Sequence, residues 1–93
     1  MRAHGSPGHR ALAQTWVHAA GAVRAGFEEI WAAGVLHGDI APRNVIISEH
    51  CAPTIVDFGD AYVRREDDDP KQWAQRVAKE RQSVEDMIAR ASR

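Results

Sequence analysis

The chain has 93 residues, 44% hydrophobic and 27% charged, with 12 basic against 13 acidic side chains and a formal net charge of −1. That length allows one small domain, and the balanced charge gives no reason to expect nucleic acid or an anionic membrane as a partner. Cys51 is the only cysteine, which excludes an internal disulfide and the multi-thiol clusters of structural zinc sites.

Residues 1–10 place Gly5, Ser6, Pro7 and Gly8 among basic residues, which predicts a disordered lead-in to a folded unit over residues 11–93. They hold neither the apolar run of a signal peptide nor a G-x-G-x-x-G pattern. No stretch approaches the roughly 18 consecutive apolar residues of a membrane span. The expected location is therefore cytoplasmic, and no membrane partner is expected.

Over residues 11–34 the spacing predicts an amphipathic helix. Leu12, Trp16, Ala20, Val23, Phe27 and Ile30 follow one another by three or four residues, which keeps them on one face. Gly21 and Gly26 each cost this helix about 1 kcal/mol relative to alanine, tolerable where a neighbour packs closely. Gly34 is the expected C-cap. Short strands follow at Val35 and Leu36, over residues 44–48 and 54–56, and over 61–64, with a turn through Glu49, His50, Cys51 and Ala52. Asp69 then Pro70 reads as an N-cap and first helical residue, opening a helix to about residue 89. Its apolar face carries Trp73, Val77, Val84 and Ile88, and Asp86 and Arg90 are spaced to pair.

The chemistry is concentrated in the middle of the chain. His37-Gly38-Asp39-Ile40-Ala41-Pro42-Arg43-Asn44 is followed by Asp57-Phe58-Gly59, with five positions from Asp39 to Asn44 and thirteen from Asn44 to Asp57. Taken singly, Asp39 and Asn44 read as turn residues. Together, and in this order, these residues resemble the protein-kinase superfamily, whose catalytic loop reads H-R-D-x-x-x-x-N and whose metal-binding segment reads D-F-G at the same offsets. The resemblance covers residues 11–63.

It implies an α+β fold, part of a protein-kinase-like C-terminal lobe: long helix, catalytic loop, short antiparallel strands, C-terminal helix. It further implies a phosphotransferase that moves the γ-phosphoryl group of ATP, with Mg²⁺, to a hydroxyl. Such a reaction asks mostly for positioning and charge compensation. By resemblance Asp39 faces the attacking hydroxyl and takes its proton, and Asn44 and Asp57 supply the oxygen ligands that Mg²⁺ prefers. Arg43 is assigned to the nucleotide phosphates, with a surface ion pair as the competing reading. His37 is expected to be structural, and Phe58 to be a core contact.

The sequence also departs from the family. Gly38 stands where the loop arginine is usual, so control through a phosphorylated activation segment is not expected. His-Gly-Asp is similar to aminoglycoside and choline phosphotransferases, whereas Ala41-Pro42-Arg43-Asn44 resembles the tyrosine-kinase loop, and Ala41 replaces the serine/threonine-kinase lysine. The pattern as a whole resembles short kinase-like chains of fungi. Neither a Gly-rich loop nor a nucleotide-clamping lysine precedes the motif, since Lys71 and Lys79 both follow it. The chain thus reads as a fragment without an N-lobe, expected to turn over poorly by itself. In the alternative reading it is an inactive pseudokinase remnant, which binds a protein partner through an exposed apolar face of the first helix bearing Trp16, Val17, Phe27, Ile30 and Trp31.

Overall fold

A 27-residue helix, α1 (Ser6–Ala32), opens the fold; the computed structural model describes residues 6–93, with side chains from residue 11 onward. The helix therefore starts at Ser6, ahead of the expected residue 11, while the rest of the predicted lead-in lies outside the described residues. Gly34 ends it as anticipated. Its φ of +85° suits glycine, and its N–H closes the last turn on the Trp31 carbonyl at 2.9 Å.

Four short strands follow: β1 (Val35–Leu36), β2 (Val45–Ile47), β3 (Pro53–Ile55) and β4 (Tyr62–Val63). They form two separate antiparallel ribbons, β1 with β4 and β2 with β3. Val35 lies opposite Val63, and Val45 opposite Ile55. A single 3₁₀ turn, Pro42–Asn44, leads directly into β2. The second helix, α2 (Pro70–Ala91), starts as its sequence dictates: the Asp69 carboxylate caps the Lys71 N–H at 3.2 Å, with Pro70 in the first turn. The described residues thus make a small α+β fold of two helices and two antiparallel ribbons.

Two ribbons this short cannot stand alone, so the helices supply the core. Trp16, Ala19, Val23, Phe27 and Trp31 form the buried stripe of α1 and meet Val77, Val84, Met87 and Ile88 of α2. Leu36 and Val45 complete the core from the ribbons. The stripe runs through Ala19 and Trp31 rather than the expected Ala20 and Ile30, which are half-buried beside it.

Side-chain pairs fix how the helices cross. Arg24 reaches Glu85 through Nε and Nη2 (2.8 and 3.0 Å), and Arg81 reaches Glu28 in the same way (2.7 and 2.9 Å). The numbers rise on one helix as they fall on the other, so α1 and α2 are antiparallel. Extending that pairing puts Leu12 beyond the last turn of α2, and Leu12 is correspondingly 59% exposed. Most of the apolar face that the remnant reading leaves open is covered: Trp16, Phe27 and Trp31 are buried, while Val17 stays exposed.

Two smaller expectations also changed. Gly26 sits closely packed, since a Cβ there would stand 3.1 Å from Ile55 Cδ1 and that side-chain end would have to shift slightly, whereas Gly21 has open space around it. Asp86 accepts a hydrogen bond from Gln82 Nε2 at 3.0 Å rather than pairing with Arg90.

Candidate active site

The loop between β1 and the 3₁₀ turn is organised around His37, which is fully buried. Its Nδ1 accepts from the Asp39 N–H at 3.1 Å, and its Nε2 donates to the Val56 carbonyl at 2.8 Å. These two bonds call for the tautomer with the proton on Nε2. The imidazole thereby ties the loop carrying Asp39 to the end of the segment carrying Asp57. Its ring lies edge-on to Phe27, with centroids 6.1 Å apart, and tilted against Phe58 at 4.8 Å. Phe58 is therefore not the core residue expected: it leans on the His37 ring with 43% of its surface exposed, because the turn at Asp57 lifts it outward.

Asp39, Arg43 and Asn44 are brought into direct contact. Arg43 Nη2 lies 2.9 Å from both Asp39 carboxylate oxygens, and Asn44 Nδ2 donates to the Asp39 backbone carbonyl at 2.7 Å and to Oδ2 at 3.0 Å. The Asn44 amide, followed by the Arg43 charge, holds the Asp39 carboxyl below the usual carboxylate range. Arg43 is thus the ion-pair partner of Asp39 in this structure, with 69% of its side chain in solvent. Asn44 is buried, and its Oδ1 accepts from no partner among the described residues.

Asp57 reaches the same region through the backbone. The Val56 N–H donates to the Asn44 carbonyl at 2.9 Å, extending the β2–β3 register by one residue, and the next residue is Asp57. Asp57 has φ +64°, a left-handed conformation that is costly for a residue with a side chain and that clusters at functional sites. Its carboxylate is exposed and makes only a long contact, 3.4 Å, from the Gly59 N–H. No hydrogen bond joins its side chain to Asp39 or Asn44 among the described residues; only the backbone pairing of Val56 with Asn44 brings Asp57 near them.

Among the described residues, no group of three or more histidine, cysteine, aspartate and glutamate side chains is arranged to hold a metal ion. Mg²⁺ does not require one, because it is commonly bound by one or two protein oxygens together with substrate phosphates and water. The Asn44 amide oxygen and the Asp57 carboxylate, both hard donors with no strong protein partner, fit that requirement.

Sequence reasoning missed Glu80. From α2 its carboxylate accepts three hydrogen bonds: Trp31 Nε1–H at 2.8 Å, the His37 N–H at 3.0 Å and the Gly38 N–H at 2.8 Å. One side chain therefore joins α1, the loop at His37 and Gly38, and α2. A signal was present. Glu80 lies three residues after Val77 and four before Val84, on the apolar stripe of its own helix, where an unpaired charge would be costly.

Gly38 has an equally physical explanation. Its φ is +89°, and a Cβ there would approach the Asp60 carbonyl carbon to 2.8 Å. The backbone after Asp57-Phe58-Gly59 passes too close for any side chain at this position. Comparison of the chain with protein-family models, with curated proteins and with solved structures found no match.

Proposed function

We propose that this chain carries the catalytic loop and metal-binding turn of a protein-kinase-like phosphotransferase, and that its two helices and paired ribbons are part of a C-terminal lobe of that kind. In the intact protein the reaction moves the γ-phosphoryl group of ATP to a hydroxyl. The observation that carries this reading is the double bond-making of His37. One buried imidazole locks the Asp39 amide to the Val56 carbonyl, and so holds the loop of Asp39 and Asn44 against the turn of Asp57.

The residues divide the work as follows. Asp39 faces the acceptor and orients its hydroxyl. A carboxylate held below its usual range is a weak base toward a neutral alcohol, so it takes the proton late, once the oxygen–phosphorus bond is forming. As that bond forms, the bond from the γ-phosphorus to the ADP oxygen breaks, and the proton leaves the hydroxyl for Asp39. Asn44 and Asp57 would hold Mg²⁺, which supplies neutralisation of the phosphate charge when bound. Asn44 also fixes Asp39 through its amide hydrogens, which links the metal ligand to the base. Arg43, beside Asp39 and largely in solvent, is within reach of an incoming phosphate without leaving the loop. Glu80 keeps the His37 and Gly38 amides in place, and therefore acts on Asp39 only by positioning.

Thermal unfolding with and without Mg·ATP tests this assignment. A stabilisation that requires both Mg²⁺ and nucleotide, and that Asp57→Ala abolishes, is the expected result. Equal stabilisation of wild type and Asp57→Ala, or none in wild type, removes support for the metal-ligand roles. The remnant reading then gains.

A further inference from the structure

A cleft of about 370 Å³ opens between the catalytic loop and α2. It is lined by Gly38, Asp60 and Tyr62 and, from α2, by Arg76, Lys79 and Glu80. Its volume is within the range of small-molecule sites, roughly 300–1,000 Å³. The cleft borders the loop at Gly38, the residue before Asp39 in the chain, while Asp39 itself does not line it. A side chain at 38 would collide with the Asp60 backbone.

The charges in this cleft are not equivalent. Glu80 is occupied by its three N–H donors. Arg76 and Lys79, three residues apart on one face of α2, have no carboxylate within ion-pair distance among the described residues. The Arg76 guanidinium lies over the Tyr62 ring, 4.3 Å from its centroid, and its charge also acts on the Asp68 carboxylate beside that ring. Tyr62 is itself fixed, because its hydroxyl donates to Asp68 Oδ2 at 2.6 Å. Asp60 forms no ion pair either, and leaves a hydroxyl-accepting carboxylate at the edge.

We propose that this cleft is the acceptor subsite, and that it takes a small polyhydroxy compound bearing a phosphate or carboxylate group. The inference rests on the phosphotransferase reading and names its substrate class. The anionic group sits on Arg76 and Lys79, one hydroxyl bonds Asp60, and another is presented toward Asp39 across Gly38. Arg76 suits this role because a planar guanidinium meets two oxygens of a phosphate or carboxylate at once.

Glycerol 3-phosphate, glycerol and inorganic phosphate are the probes, titrated into the full chain and followed by amide chemical shifts. The expected result is saturable binding of glycerol 3-phosphate with shifts centred on Gly38, Arg76 and Lys79, and no saturable binding of glycerol. Arg76→Gln with Lys79→Gln is expected to weaken binding at least about tenfold, in line with loss of a charge-assisted contact. The single variant Lys79→Gln gives the same direction if the double variant folds poorly. Asp60→Asn is expected to erase the preference for glycerol 3-phosphate over inorganic phosphate. Binding that is indifferent to the Arg76 and Lys79 substitutions overturns the subsite, and equal binding of inorganic phosphate by wild type overturns the polyhydroxy class. The Mg·ATP shift is read separately. Its absence beside intact glycerol 3-phosphate binding refutes the phosphotransferase reading while the anion cleft stands.

Discussion

The loop from His37 to Asn44 and the turn after β3 are built in opposite ways. From His37 to Asn44 the side chains are tied to the loop: His37 through both ring nitrogens and Asp39 to Arg43 and Asn44, with the His37 and Gly38 amides on Glu80. From Asp57 to Asp60 the side chains are exposed, and Asp57 has one long contact on a strained backbone. A group that must orient a reactant benefits from being held rigidly. A metal ligand benefits from being free until the ion arrives, because each protein hydrogen bond would have to be given up first. The difference follows the tasks proposed for Asp39 and Asp57, while Asn44 shares both, holding Asp39 through its amide nitrogen and leaving its Oδ1 open.

Substitutions can break this contrast, and the loop is where they cost most. His37→Ala leaves a cavity under Phe27 and two backbone groups without partners. It is expected to lower unfolding free energy by about 3 kcal/mol, measured by urea denaturation. Glu80→Ala strands three N–H donors and is expected to cost about 2 kcal/mol on the same measurement, whereas Glu80→Gln, which keeps an acceptor oxygen, costs less. Gly38→Ala meets both the positive φ and the Asp60 backbone, and a loss of about 1–2 kcal/mol is expected. At the turn the prediction reverses. Asp57→Asn is expected to change stability by less than about 0.5 kcal/mol while removing any Mg²⁺-dependent stabilisation by ATP. A destabilisation of Asp57→Asn as large as that of Glu80→Ala would erase the distinction.

Acid provides the gentlest probe. Asp39 is held low by the Asn44 amide and then the Arg43 charge, Glu28 by Arg81, Glu85 by Arg24, and Asp68 by the Arg65 backbone N–H and the Tyr62 hydroxyl. A carboxylate whose folded pKa is lowered contributes stability that is complete above its unfolded pKa and is lost as pH falls toward the folded value. Stability is therefore expected to be level from neutral pH down to the ordinary carboxylate range and to decline below it, followed as urea midpoints across an acid series. Arg43→Ala is expected to move the Asp39 carboxyl titration upward, as read by carboxyl carbon NMR shifts.

Much of the local architecture was legible. The helix end at Gly34 and the Asp69–Pro70 start of α2 are short-range signals, set by backbone conformations that neighbouring residues impose on each other. The β2 and β3 strands appeared where β-branched residues cluster. Phe58 was misread because its fate depends on the direction in which Asp57 turns the chain, and a positive φ at an aspartate leaves no mark in the sequence. Glu80 was overlooked although its place on an apolar stripe was visible. Its three donors come from residues 42 to 49 positions away, which no local pattern connects.

By itself the sequence determined two amphipathic helices, the turns between short strands, and the spacing of Asp39, Asn44 and Asp57. Those features depend on periodicity, capping and backbone preference, all of which act over a few residues. Only the tertiary structure decided that α2 covers α1, that Glu80 grips the loop, that Arg43 sits on Asp39, and that a cleft remains beside Gly38. Each of these depends on groups far apart in the chain meeting at bonding distance, and burial and hydrogen-bond satisfaction decide such meetings only when the whole chain is packed.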